Sequence, residues 1–211
     1  MSAADFLLAP EVQKILKVVL ATPDTQFSAD ALAKKAKLDG ADLQRTQEHL
    51  VKCGILIQQK AKADEPETVS ANTSFVFYEE LRKIALKSFA AAEPIRAMLR
   101  SKFKSSVLRA FILGEDKDAT VELLVVHGES MPDEGLMSAA CQKLSASIGR
   151  HLQVHVISSK RFAALAGGDG LGAKLSSAIE IIAEGDTKAK LPAEPESLFQ
   201  STKKRLAFLA R

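Results

Sequence analysis

Tryptophan is absent from the 211 residues, tyrosine occurs once, and the aromatics together make up 5% of the chain. Such scarcity argues against the stacked aromatic platforms on which single-strand binders lay their bases. Cysteine occurs only at positions 53 and 141, far apart and outside any zinc-ligand pattern, so neither a zinc finger nor a disulfide framework is expected. Both thiols read as small buried hydrophobes. No apolar run reaches the roughly 20 residues of a membrane-spanning helix. The best stretch, Ile15 to Ala21, is broken by Lys17, and Met1 to Leu8 lacks the basic start and long apolar centre of a signal peptide. These absences lead to the expectation of a cytoplasmic protein with no membrane contact.

What is present is an ordinary globular mixture, 46% hydrophobic and 26% charged, long enough for one large domain or two small ones. The net charge of +3 is unevenly placed: residues 1–110 carry 17 basic against 13 acidic side chains, and the remainder 12 against 13. A mild basic bias of this kind favours an anionic polymer as partner only where a motif agrees with it.

The first 77 residues contain such a motif. Val12, Ile15, Leu16, Val19 and Leu20 fall at helical spacing with one buried face, and Thr22-Pro23-Asp24 ends the run. Ser28 is an N-cap for a short helix Ala29 to Ala36, Asp39 a candidate cap for a third helix from Ala41 to Cys53, and Gly54 its left-handed terminator. Ile55 to Gln59 reads as a strand, Lys60 to Ala71 as a polar loop, and Thr73 to Phe77 as the returning strand. The stretch "FSADALAKKAKLDGADLQRTQEHLVKCGILIQQ" resembles winged helix-turn-helix repressors of the arsenic-repressor type, over Pro10 to Phe77.

That resemblance implies a recognition helix whose Ala41, Gln44, Arg45 and Glu48 face a major groove, where Gln and Arg suit bidentate bonds to adenine and guanine. Lys34, Lys35 and Lys37, with Lys60 and Lys62 at the base of the wing, would hold the phosphate backbone. Acidic Asp39, Asp42 and Glu48 oppose this, and Asp64, Glu65 and Glu67 make the wing tip anionic.

From Tyr78 to Lys104 the pattern is mostly helical, with Pro94 at a break, and Leu81, Ile84, Leu86 and Phe89 could form a dimer seam. Val107 to Leu113 and Thr120 to His127 then read as strands, Asp133 to Ile148 as a helix, and Leu152 to Ser158 as a third strand. Ser159 to Ala166 and Leu171 to Ala183 return to helical spacing, Thr187 to Ser197 reads as an exposed connector, and Leu198 to Leu209 as a basic amphipathic helix. "LRAFILGEDKDATVELLVVHG", a helix, and "GRHLQVHVISSKRFAAL" resemble the minimal nucleotidyltransferase domain over roughly Pro94 to Asp186. In that family a Gly-Ser ends the first strand, and two aspartates two residues apart on the second hold Mg²⁺. Here Gly114 is kept, Glu115 replaces the Ser, and Thr120 and Glu122 occupy the aspartate positions. One carboxylate beside a hydroxyl is a poor two-metal clamp.

The remaining motifs carry less. His151 and His155 alternate on a strand, about 13 Å apart by strand rise, and read as surface or edge residues. "AGGDGLG" (residues 166–172) lacks the Lys-Ser/Thr of a phosphate loop and reads as an interhelical turn.

The expected fold is therefore α+β: a winged helix over residues 1–78, a linker helix over 79–93, a nucleotidyltransferase-like α/β domain with a small mixed sheet over 94–186, and a connector with a C-terminal helix over 187–211. The expected function is transcriptional regulation through double-stranded DNA, as a homodimer, with the degenerate second domain used for dimerisation, sensing a small-molecule or protein effector, or partner binding. No catalytic residue, metal or cofactor is expected. An active nucleotidyltransferase guided by the winged helix, and an interaction scaffold that binds no DNA, are the rival readings.

Overall fold

The computed structural model describes residues 2–60, 66–165 and 170–192. It is a mixed α+β protein with two small sheets. The first part runs α1 (Pro10–Val19), β1 (Phe27–Ser28), α2 (Ala29–Ala36), α3 (Gly40–Lys52), β2 (Leu56–Gln59) and β3 (Thr68–Ala71). Its three strands pair antiparallel in the order β1-β3-β2. No helix among the described residues is long and apolar enough to cross a membrane.

Local chemistry explains the helix boundaries. Ser28 Oγ accepts from the Ala31 amide at 3.4 Å and Asp39 Oδ1 from the Asp42 amide at 2.8 Å, each satisfying a donor of the first turn. Lys37 ends α2 in the left-handed region (φ 54°), and the Leu38 amide returns to the Ala33 carbonyl. Gly54, at φ +77°, does the same after α3, with the Ile55 amide bonded to the Leu50 carbonyl. The inward stripes of the three helices, including Ile15, Leu16, Leu32 and Leu50, close over Val69 and Phe27.

The second part comprises α4 (Tyr78–Lys87), α5 (Ala92–Lys102), β4 (Val107–Glu115), β5 (Thr120–His127), α6 (Glu134–Ile148), β6 (His151–Ser158), α7 (Ser159–Ala163), α8 (Gly170–Leu175) and β7 (Ile179–Ile182). Its sheet has the order β6-β5-β4-β7, with β5 and β6 parallel and the other pairs antiparallel. Val121, Leu123 and Val125 of β5 pack on one face with α5 and α6, whereas Leu124 and Val126 pack on the other with Phe111, Leu113 and Ile157. A strand covered on both faces reads as a continuous apolar run, which is how "VELLVV" appears in the sequence. Residues 183–192 then strap back over the sheet end: Thr187 Oγ1 donates to the Val107 carbonyl at 2.6 Å, and the Lys188 amide to the Lys104 carbonyl at 2.8 Å.

Several expectations are corrected. The returning strand is Thr68–Ala71 and not Thr73 to Phe77, because pairing Leu56 with Ala71 and Gln59 with Thr68 sends Val69 into the core. Asn72 closes the ladder by bonding Gly54 and Ile55, and its Oδ1 accepts from the Ser74 amide to make a turn of the next residues. Phe27–Ser28 forms an additional short strand on the same sheet. Leu171 to Ala183 is not one helix: α8 stops at Leu175, and the β-branched Ile179–Ile182 pairs with the edge of β4, burying Ile181 and Ile182. The helix through Tyr78 to Lys104 is interrupted at Ser88, whose hydroxyl bonds the Ile84 carbonyl, and α5 begins at Ala92. Cys53 is exposed and Cys141 buried, so only the second behaves as a core residue. The C-terminal helix expected at 198–209 lies outside the described residues.

The helix expected as a linker packs against both cores. Tyr78 and Ala85 of α4 belong to the first core and Leu86 to the second. Leu86 of the expected dimer seam is therefore buried within the chain, and Leu81, Ile84 and Phe89 are half-buried.

Candidate functional site

The solvent face of α3 is built by its own periodicity. Leu43, Thr46 and Leu50 point inward, which leaves Ala41, Gln44, Arg45 and Glu48 exposed one turn apart. The polar members are paired along the helix: Gln44 Nε2 donates to Glu48 Oε1 and Arg45 Nη2 to Asp42 Oδ1, both at 3.0 Å. The Arg45 side chain is 77% exposed, and an exposed i,i+3 pair of this kind contributes only a few tenths of a kcal/mol. The guanidinium can therefore leave Asp42 for a stronger bidentate acceptor at little cost.

Lys34, Lys35 and Lys37 stand elsewhere. Together with Lys14 and Lys17 of α1 and Lys143 of α6, they line a cleft of about 700 Å³ between the first part of the chain and the end of α6. Lys17 is half-buried, and its ammonium is held below the ordinary lysine range first by burial and then by the charges of Arg150 and Lys37. Lys35 also lies 5.1 Å over the Phe27 ring, a cation–π contact. Lys60 is exposed at the end of β2, and Lys62 lies outside the described residues.

The four positions marked by the nucleotidyltransferase resemblance have different partners. Gly114 lies opposite Glu122 in the β4–β5 register, and Glu115 opposite Val121. Glu115 is buried between two guanidinium groups, Arg82 Nε at 3.0 Å and Arg150 Nε at 2.7 Å. Arg82 also reaches the Asp116 carbonyl, and Arg150 the Lys17 carbonyl, so this carboxylate ties α4, the end of β4 and α1 together. The Thr120 amide is held by Asp116 Oδ1 in the hairpin turn.

Glu122 has separate partners. Its carboxylate accepts from His155 Nε2 at 3.0 Å and from Lys174 Nζ at 2.5 Å. The Lys174 bond, against the opposing effect of burial and with help from His155, holds this carboxyl below the ordinary Glu range. A folded-state value below the unfolded one means a stabilisation fully present above the unfolded value, and lost as pH falls through the folded value. Glu122→Gln is therefore expected to reduce stability near neutrality by about 0.5 kcal/mol, with the difference from wild type vanishing in strong acid; urea titrations along the acid range check this.

Among the described residues no group of three or more His, Cys, Asp or Glu side chains could hold a metal ion. No sequence motif marks Lys14, Lys17 and Lys143 as neighbours of the α2 lysines, or His155 and Lys174 as partners of Glu122. The spacing of Lys14 and Lys17 puts them on one face of a helix, but nothing local brings Lys143 to them. No family model, curated protein or solved structure matches the chain.

Proposed function

We propose that the protein is a DNA-binding transcriptional regulator that reads duplex DNA with α3, as a dimer on two-fold sites. In this reading β2 and β3 form the wing of a winged helix-turn-helix. The part built on β4 to β7 is a nucleotidyltransferase-like fold used for association, sensing or partner binding rather than nucleotidyl transfer. The observation that carries the proposal is the exposed row Ala41, Gln44, Arg45 and Glu48 on a helix that follows a three-residue turn and precedes a strand–loop–strand. Both readers on that row are engaged only in weak intrahelical pairs, and both have the geometry for base edges. Glu122, whose carboxylate is already taken by His155 and Lys174, with the hydroxyl residue Thr120 at the other aspartate position, supports the non-catalytic half of the reading, since a two-metal site needs clustered carboxylates.

Selection from a random duplex library should enrich a two-fold sequence bound by two chains, with affinity that falls linearly in log salt. Arg45→Ala should lower preference for the base pair that it reads by about ten-fold while leaving non-specific affinity nearly unchanged. Failure to enrich any sequence at low salt would sink the proposal.

A further inference from the structure

Six lysines converge on the cleft between α1, α2 and α6, contributed by three separate helices, and no acidic residue lines it. None of the six takes part in an ion pair among the described residues, although acidic side chains are nearly as frequent as basic ones in the whole chain. The C-termini of α2 and α6 lie at the cleft, and each contributes roughly half a negative charge, far less than the lysines bring. Behind the wall, the buried Arg150 bonds the carbonyls of Lys17 and Ile148, two lining residues, and its Nη2 has no hydrogen-bond partner among the described residues. Like charges gathered in one hollow, with Lys17 half-buried among five exposed lysines, repel one another, and a bound anion removes that repulsion.

We propose that this cleft binds a compact polyphosphate anion, whether inorganic or carried by a nucleotide. Size agrees, since about 700 Å³ lies within the range of small-molecule sites and is ample for a triphosphate. Shape separates this ligand from duplex DNA: the lysines surround a hollow between two packed parts of the chain, whereas a duplex presents a convex rod that touches outward-facing side chains. The lining also includes Val18, Ala21 and Ile148, a narrow apolar strip beside the ammonium groups in which Val18 offers most of the open surface to a nucleoside. An anion held by Lys14, Lys17, Lys34 and Lys37 on one side and Lys143 on the other would clamp α2 to α6. Because Lys37 leads through a two-residue turn into α3, the ligand would act on the element assigned to DNA, but binding itself does not depend on that assignment.

The test is calorimetric titration of the full chain at low salt with sodium triphosphate and, separately, with ATP. Saturable one-to-one binding is expected, with Lys17→Gln and Lys143→Gln each weakening it by about ten-fold and Lys102→Gln, on α5, leaving it unchanged. Circular dichroism melts establish that each variant is folded. Equal affinity for the two ligands assigns recognition to the phosphate chain alone, and tighter ATP binding adds the apolar strip; either result supports the site. No binding of either ligand, or binding undiminished in the Lys17 and Lys143 variants, overturns it. It is also overturned if duplex DNA requires these lysines and triphosphate fails to compete, since they would then form part of a DNA track. A chain that binds triphosphate but selects no duplex sequence keeps this site and loses the proposed regulator.

Discussion

Glu115→Ala is expected to destabilise the protein by about 3–5 kcal/mol, because it strands a buried cation. The Arg150 side chain is fully buried, and Glu115 supplies the only carboxylate with which it forms an ion pair among the described residues. The guanidinium would keep its bonds to the Lys17 and Ile148 carbonyls, at 3.3 and 3.5 Å, which are too long to replace a 2.7 Å charged bond. Urea unfolding at neutral pH measures the loss. The companion Glu115→Ala/Arg150→Met separates this cause from simple loss of packing. Removing the charge together with its partner should recover much of the deficit, since buried ion pairs replaced by apolar groups are often neutral in stability. A single variant within about 1 kcal/mol of wild type would mean that water reaches the junction.

The second large effect is expected at Gly128, in the segment that follows β5. A Cβ built there would lie 2.1 Å from the Lys190 carbonyl oxygen and 3.0 Å from its carbon, so backbone has to move. The strap that would be displaced holds the Glu129 amide through that same carbonyl, and is itself fixed by Thr187 and Lys188. Gly128→Ala should therefore cost about 2–3 kcal/mol, the range of an overpacked core, or detach the strap altogether. Hydrogen exchange distinguishes the two: detachment releases the Lys188 and Glu129 amides without exposing β4 and β5. Stability within about 0.5 kcal/mol of wild type, with those amides still protected, would contradict the clash.

The parts of the fold that were legible in the sequence are those determined by neighbours along the chain. Residue type and spacing alone mark Ser28, Asp39 and Gly54 as caps, and each has the expected geometry. β4 and β5 are recognisable as continuous apolar runs of strand length, and β6 by its alternation. What escaped depends on pairing at a distance. Ile179–Ile182 fits a helical stripe as well as a strand until β4 presents an unpaired edge. Thr68–Ala71 looks polar until its register with β2 shows that only Val69 and Ala71 turn inward.

The candidate sites divide in the same way. The exposed row on α3 follows from helical period alone, whereas the partners of Glu115 lie 33 and 35 residues away in sequence. Lys34, Lys35 and Lys37 were visible as a basic cluster, but the hollow that they line requires α1 and α6, which no local pattern connects to them.

Lys37 shows how a side chain can be kept against the preference of its own backbone. Its φ of 54° belongs to a region that glycine enters freely and that costs other residues about 1 kcal/mol. Stability alone would favour glycine at this helix terminus, as at Gly54 and Gly149, which end α3 and α6 in the same conformation. Ala119, the other non-glycine residue with positive φ among those described, is buried and accepts the His151 amide, so it has a packing role. Lys37 is exposed and has no such role: what it adds over glycine is a positive charge at the mouth of the cleft. Replacing this lysine by glycine should therefore relax the turn while removing one charge from the cleft, so directed evolution for thermostability alone would be expected to remove it early.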